Sequence, residues 1–350
     1  MTALNLRKII RISLAFCLYI TGLLSLIVRV RLRKKAVVLM YHRVLSGEEI
    51  SRRKIQNGII VETGTFKKQI RFIRKYLKPI SLKEFVDHLE KNIPFPSKTC
   101  LITFDDGWRD NFLNAYPVLK EESVPAVIFL PTDFVGSLRS FWQEELADLL
   151  AAARRRLRED KEFVKKNKRL LTIEEIRGIM ACDPKRLPHE IASFSSIQKK
   201  KSISEIERLI HSLRQALPAE AMQEKKESNF LSWDEVKIMA GDGISFGSHG
   251  KSHAILTGIS SREVDGEIRE SKEILKKNLG QKIDAFSYPN GDYDESAAKA
   301  VQDQGYRVAF GTEGGFVCTG ADPFSIRRVN IHQDMTGSIP MFLARIVGLY

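Results

Sequence analysis

LITFDDGWRDN, residues 101–111, ends an apolar run with two adjacent carboxylates and a glycine. Leu101, Ile102 and Phe104 read as a short buried strand, which puts Asp105 and Asp106 at its end, where α/β folds build their sites. Side chains alternate along extended chain, so the two carboxylates point in different directions and can do two jobs. The same letters suit a plain turn, because Asp and Gly favour one. What surrounds them decides between the two readings.

On the N-terminal side, AVVLMYH (36–42) is another apolar run, and it ends on a histidine. Residues 65–90 carry helical stripes: Phe66, Ile70, Ile73 and Leu77 share a face, and Ser81 with Glu84 forms a capping box. On the C-terminal side come a helix through NFLNAYPVLK and the strand AVIFL (126–130). The pattern resumes with a second box, Ser232 with Glu235, and the strand ISFGSH (244–249). A helix over 261–279 stopped by Gly280 follows, then the strand DAFSYP (284–289), a helix ended by Gly305, the strand YRVAFGT (306–312) and a last apolar stretch, FSIRRVNI (324–331). Such alternation implies parallel strands joined by helical crossovers.

The alternation lapses over about 141–230, where AAARRRLRED, KKNKR, SIQKKKSISEIERLIHSLRQAL and QEKKES read as helical and basic, a helical insertion whose charges form a solvated face. The four cysteines, Cys17, Cys100, Cys182 and Cys318, make no CxxC pair, which argues against a zinc knuckle and a disulfide framework. The net charge of +13 does not mark a nucleic-acid binder, because much of it is concentrated in Arg7, Lys8, Arg11, Arg29, Arg31, Arg33, Lys34 and Lys35. No acidic residue occurs before residue 36, and between the basic clusters lies an uncharged run of 17 residues, 12–28. That run is just long enough for a membrane helix. A cleaved signal would look similar, but RVRLRKK follows where a small-residue cleavage site should be, so an uncleaved anchor is expected over 1–35, tying residues 36–350 to a bacterial-type cytoplasmic membrane. The basic flanks leave the side of the membrane open.

Four predicted strands end on reactive groups: His42; Asp105 with Asp106; His249 with His253; and the turn Tyr288, Pro289, Asn290, Gly291. In a parallel sheet or barrel these ends converge on one face. The spacing His249-Gly-Lys-Ser-His253 lets one turn direct both imidazoles at one ion, although two unrelated loop histidines would read the same. One carboxylate of Asp105/Asp106 would complete a two-His, one-carboxylate site, and the other is a natural general base.

In this combination the chain resembles the polysaccharide deacetylases with a NodB homology domain, carbohydrate esterase family 4. TFDDG (103–107) resembles the family's first motif, SHGKSH (248–253) its second, and FSYPNG (286–291) its third in reduced form. VLMYH (38–42) resembles the permuted branch that includes poly-N-acetylglucosamine deacetylases, in which the acid histidine comes first. The resemblance spans roughly 36–134 and 231–332 of one catalytic domain, 36–350. It implies an α/β fold, a distorted (β/α) barrel with fewer than eight strands, and one divalent ion, usually Zn2+, on Asp106, His249 and His253. By the same resemblance Asp105 is the base and His42 the general acid, preferred to His332 at the end of the weaker counterpart VNIH. Where many members carry an arginine that braces the base this chain has Ser287, and Arg328 on the last strand is the expected substitute.

The implied reaction removes N-acetyl groups from amino sugars of a cell-envelope polysaccharide or lipid-linked glycan. The metal and a backbone N–H in the 288–291 turn would hold the oxyanion, and Trp108 and Tyr288 are either core or platforms for a sugar face. Expected partners are an N-acetylated glycan and, through the N-terminal helix, the membrane; nucleic acid is not expected. An O-acetyl esterase, a sugar deformylase and a non-catalytic glycan-binding membrane protein are the rival readings.

Overall fold

The computed structural model describes residues 3–52, 58–159, 174–183, 186–198, 201, 203–217 and 227–350. In chain order the strands are β1 (Lys35–Tyr41), β2 (Arg43–Leu45), β3 (Ile60–Glu62), β4 (Lys78–Pro79), β5 (Thr99–Phe104), β6 (Val127–Leu130), β7 (Ser245–Ser248), β8 (Ala285–Ser287), β9 (Val308–Phe310), β10 (Phe316–Cys318) and β11 (Val329–Asn330). β1, β5, β6, β7, β8 and β9 run parallel in that spatial order. The free flank of β1 is shared: β10 pairs antiparallel with its first residues, and β11 pairs parallel with Leu39 and Met40. Ile326, just before β11, bridges to Phe310 of β9. The segment 326–330 therefore links the last parallel strand to the first and curls the sheet into a distorted, incompletely paired barrel.

Alternation along each strand feeds two cores. Val37, Leu39 and Tyr41 of β1, Cys100, Ile102 and Phe104 of β5, and Ile128 and Leu130 of β6 join a cluster with helical residues such as Phe66, Ile70 and Ile73. Ala36 and Val38, Leu101, Val127 and Phe129, Ala285, Val308 and Phe310 form the other cluster, inside the barrel. Extended at the same period, the inner row continues from Val38 to His42, from Leu101 to Asp105 and from Ala285 to Ser287, placing these polar residues at the strands' C-terminal ends. The crossover helices start where the sequence marks them, with reciprocal capping boxes at Ser81/Glu84, Ser232/Glu235 and Ser260/Glu263.

The N-terminal segment departs from expectation. The apolar run 12–28 is not one helix but parts of two, α1 (Ala3–Ile20) and α2 (Leu23–Arg31), bent by 90° at Thr21 and Gly22. Gly22 takes φ 74, and the Thr21 hydroxyl donates to the Cys17 carbonyl at 2.9 Å. Among the described residues no single helix is long and apolar enough to cross a membrane. One face of the pair is committed to the body: Ala15, Leu24, Val28 and Leu32 belong to the main core, and both helices pack against the last helix, Ile339–Ile346. Burying each aliphatic side chain is worth about 1.5–3 kcal/mol, which fixes the bend.

Leu138–Ser228 belongs to a second compact unit with a core of its own, including Leu146, Leu150, Ile176, Phe194, Ile206 and Leu213. Its described helices are Trp142–Glu159, Glu174–Ala181, Leu187–Gln198 and Ile203–Ala216; KKNKR and residues 223–226 of QEKKES lie outside the described residues. The flanks of this insertion meet within the first unit. Gly136 N–H donates to the Leu231 carbonyl at 2.8 Å, and Leu231 N–H donates to the Gly107 carbonyl at 2.9 Å.

Candidate active site

Asp106 and Gly107 leave β5 in left-handed conformations, φ 73 and φ 64, and a Cβ on Gly107 would come within 2.7 Å of Leu130. This turn aims Asp106 at the loop after β7, where its Oδ1 lies 3.5 Å from His249 Nε2 and 3.3 Å from His253 Nε2. One ligand atom from each of the three residues falls within 4.8 Å of the others. His249 Nδ1 lies 2.7 Å from the Ser287 carbonyl; donating its proton there leaves the Nε2 lone pair for the site. Burial pushes the Asp106 carboxyl up, but the facing imidazoles of His249 and His253, with His42 nearby, take it well below the usual carboxylate range. Burial holds His253 below the ordinary imidazole value. An anionic oxygen and two imidazole nitrogens converging in this way fit a divalent ion of the zinc type, with room for further ligands.

The other carboxylate has a different partner. Both Asp105 oxygens accept from Arg328, Oδ1 from Nη1 and Oδ2 from Nη2, each at 2.7 Å. Arg328 is wholly buried, donates through Nε to the Gly311 carbonyl at 2.7 Å and reaches the Ser287 hydroxyl at 2.9 Å. Where a bulkier third-motif side chain would stand, Ser287 leaves room for a guanidinium arriving from another strand. Burial raises the Asp105 carboxyl, but the charge of Arg328, then His249, the Arg328 hydrogen bonds and His42 outweigh it and leave it below its ordinary value.

His42 and His332 are neighbours. β1 and β11 run parallel with Met40 opposite Asn330, so each strand delivers its histidine to the same rim two residues later. Each imidazole has a buried Nδ1 without a hydrogen-bond partner among the described residues. Burial, with Arg345 and His42 nearby, lowers His332 despite the opposing pull of Asp334.

Burial decides between the two readings of Trp108 and Tyr288, and backbone pairing narrows the oxyanion expectation for the 288–291 turn. Trp108 is no sugar platform: it is 2% exposed, with Phe230 stacked at 4.8 Å and the Arg43 guanidinium 4.1 Å from its ring centre. Tyr288 is buried too, stacked on Tyr293 at 4.4 Å. In the 288–291 turn, Tyr288 N–H is committed to the Phe310 carbonyl and Gly291 N–H to the Tyr288 carbonyl, while Pro289 has none, so these three cannot hold an oxyanion.

Sequence reasoning missed the supports around the trio. The Trp108 indole N–H donates to Asp106 Oδ2 at 3.0 Å, leaving Oδ1 to face the histidines. Arg43, covering that indole, is itself paired with buried Asp110 at 2.9 Å, and Asp110 also accepts from Val44 N–H. Glu267 accepts from the Lys251 and Ser252 amides at 2.7 and 2.8 Å and so holds the loop between His249 and His253. WRDN holds Trp108 and Asp110 without any periodicity that marks them as supports, Arg43 stands at another strand end, and Glu267 lay hidden among the charges of its helix.

The sequence profile described as polysaccharide deacetylase matches residues 92–156 and 193–309, more than half of the chain. A Bacillus subtilis (strain 168) protein provisionally named as a polysaccharide deacetylase, YxkH, is 23% identical over 305 residues, 87% of this chain and 74% of that protein. The poly-beta-1,6-N-acetyl-D-glucosamine N-deacetylase of Staphylococcus epidermidis is 33% identical over 114 residues, 30% of this chain and only 39% of that protein. Among solved structures, the Streptococcus pyogenes deacetylase PplD in complex with acetate is similar at a TM-score of 0.56 and 20% identity, over 89% of this chain and 98% of that one. At that identity the likeness is one of fold. The profile match takes in Asp105, Asp106, His249 and His253 and leaves out His42, Arg328 and His332.

Proposed function

Because the chain belongs to the polysaccharide deacetylase family, hydrolases of carbon–nitrogen bonds other than peptide bonds that act on polysaccharide N-acetyl groups, we propose that it deacetylates an amino-sugar polymer of the cell envelope with Asp105 as base and His42 as acid. The observation that carries this reading is the division of labour between adjacent carboxylates: Asp106 faces two imidazoles, and Asp105 is gripped at both oxygens by Arg328. Asp106, His249 and His253 would hold a divalent ion, most simply zinc, which when bound supplies Lewis acidity to the site. Arg328 keeps Asp105 ionised and fixed, ready to take a proton from the attacking water as its oxygen bonds to the acetyl carbon. When the C–N bond breaks, His42 gives its proton to the departing amine, and acetate and the free amino sugar result. Burial holds His332 below the ordinary imidazole value, so little of it carries a proton to give at neutral pH. A β-linked N-acetylglucosamine polymer is the substrate class favoured by the named activity of the staphylococcal relative.

The test is acetate and formate release by zinc-loaded full-length protein from β-1,6-linked N-acetylglucosamine oligomers, chitin oligomers, an O-acetylated glycan and an N-formylated amino sugar. Acetate from an N-acetylated oligomer is expected, falling about a hundredfold or more in Asp105→Asn with metal content retained. Acetate only from the O-acetylated glycan would make it an esterase, formate alone a deformylase, and neither acid with metal bound would leave the glycan-binding reading.

A further inference from the structure

The deacetylation site accounts for one end of the barrel strands and leaves the N-terminal helix pair unexplained. On the faces of α1 and α2 turned away from the body, Ile10, Leu14, Ile20, Leu23, Leu26 and Val30 are between 45% and 80% exposed. Arg11, Arg29, Arg31, Arg33, Lys34 and Lys35 are exposed on the same segment, and the sequence offers no carboxylate before Glu48. Apolar side chains beside exposed cations, on a segment that carries no acid of its own, complement a lipid surface carrying anionic headgroups. A protein partner of ordinary mixed charge would be met by a mixed rim instead.

Geometry decides how the segment would meet lipid. The 18 residues of α1 and 9 of α2 rise about 27 and 14 Å, each short of a hydrocarbon core of about 30 Å. Straightening the pair would pull Leu24 and Val28 out of the main core. We propose that the bent pair docks in the plane of one leaflet of an anionic bilayer, with the inner face kept on the enzyme body and both ends on the same side, rather than spanning the membrane.

The test uses full-length protein and sedimentation with vesicles of phosphatidylcholine alone or mixed with phosphatidylglycerol. Binding to the mixed vesicles that weakens with salt is expected. Replacing Arg29, Arg31 and Arg33 by Gln should weaken it about a hundredfold, at about fivefold per cation. Ile20→Glu with Leu26→Glu should abolish binding while acetate release and the melting temperature stay unchanged. Sidedness is read with Cys17, Cys182 and Cys318 replaced by Ser and a single cysteine placed at Leu4 or Lys34. An impermeant maleimide should label both positions from outside. Position 4 or 34 labelled only after detergent, equal binding to both vesicle types, no binding to either, or burial of the face by self-association would each overturn the proposal.

Discussion

Arg328 illustrates how much one side chain fixes. Its removal as Arg328→Met leaves Asp105 buried without its counter-charge, so burial is no longer outweighed and the carboxyl rises from its lowered value. A base works only when ionised, and a raised pKa therefore moves the acid limb of the kcat/KM profile to higher pH, which a pH series on parent and variant will read. The same variant should lose about 3–5 kcal/mol of stability, the usual consequence of breaking a buried pair. Trp108 makes a second case. Trp108→Phe keeps a ring between Arg43 and Phe230 but removes the N–H that orients Asp106, and zinc affinity measured against a competing chelator should fall about 10–100-fold with the metal-free melting temperature little changed. The sequence made the opposite orientation of Asp105 and Asp106 legible, because alternation along a strand is local. It could not say what covers the Trp108 ring, because Arg43 comes from a different strand end and Phe230 from beyond the insertion.

Whole elements were legible in proportion to their local signal. The strands β1, β5, β6, β7, β8 and β9 are apolar runs between caps and glycines, and all were readable, whereas β10 is three residues long and gains its identity only by pairing with β1. The N-terminal run misled because hydropathy registers Thr21 and Gly22 as tolerable, while the backbone uses them to turn. The loop carrying His249 and His253 depends on a partner beyond the reach of any short motif. His253 stands at φ 62, a conformation that costs about 1–2 kcal/mol for a side chain other than glycine, and Glu267 holds the adjoining amides in place. Glu267→Gln should loosen that loop: zinc dissociation should quicken by about tenfold or more, followed with a chromogenic chelator, while chain stability far from the loop, read by hydrogen exchange, stays the same.

At the scale of the molecule, the insertion was visible as a lapse in the strand rhythm over about 141–230, against Leu138–Ser228 in the structure, but helical, basic composition carries no mark of the separate core that the segment builds. Replacing residues 138–228 by a short Gly-Ser linker should leave a folded, zinc-binding body, checked by circular dichroism and metal content; loss of both would show that the first unit needs the second. The basis is the pairing of Gly136 with Leu231, which brings the two flanks side by side before the insertion starts. Closing a flexible loop between fixed ends depends only on the logarithm of its length, about 0.6 kcal/mol per doubling. A junction pinned in this way therefore behaves as a socket: segments of very different size can be plugged in there, or exchanged between related chains, without renegotiating the geometry of the strand ends.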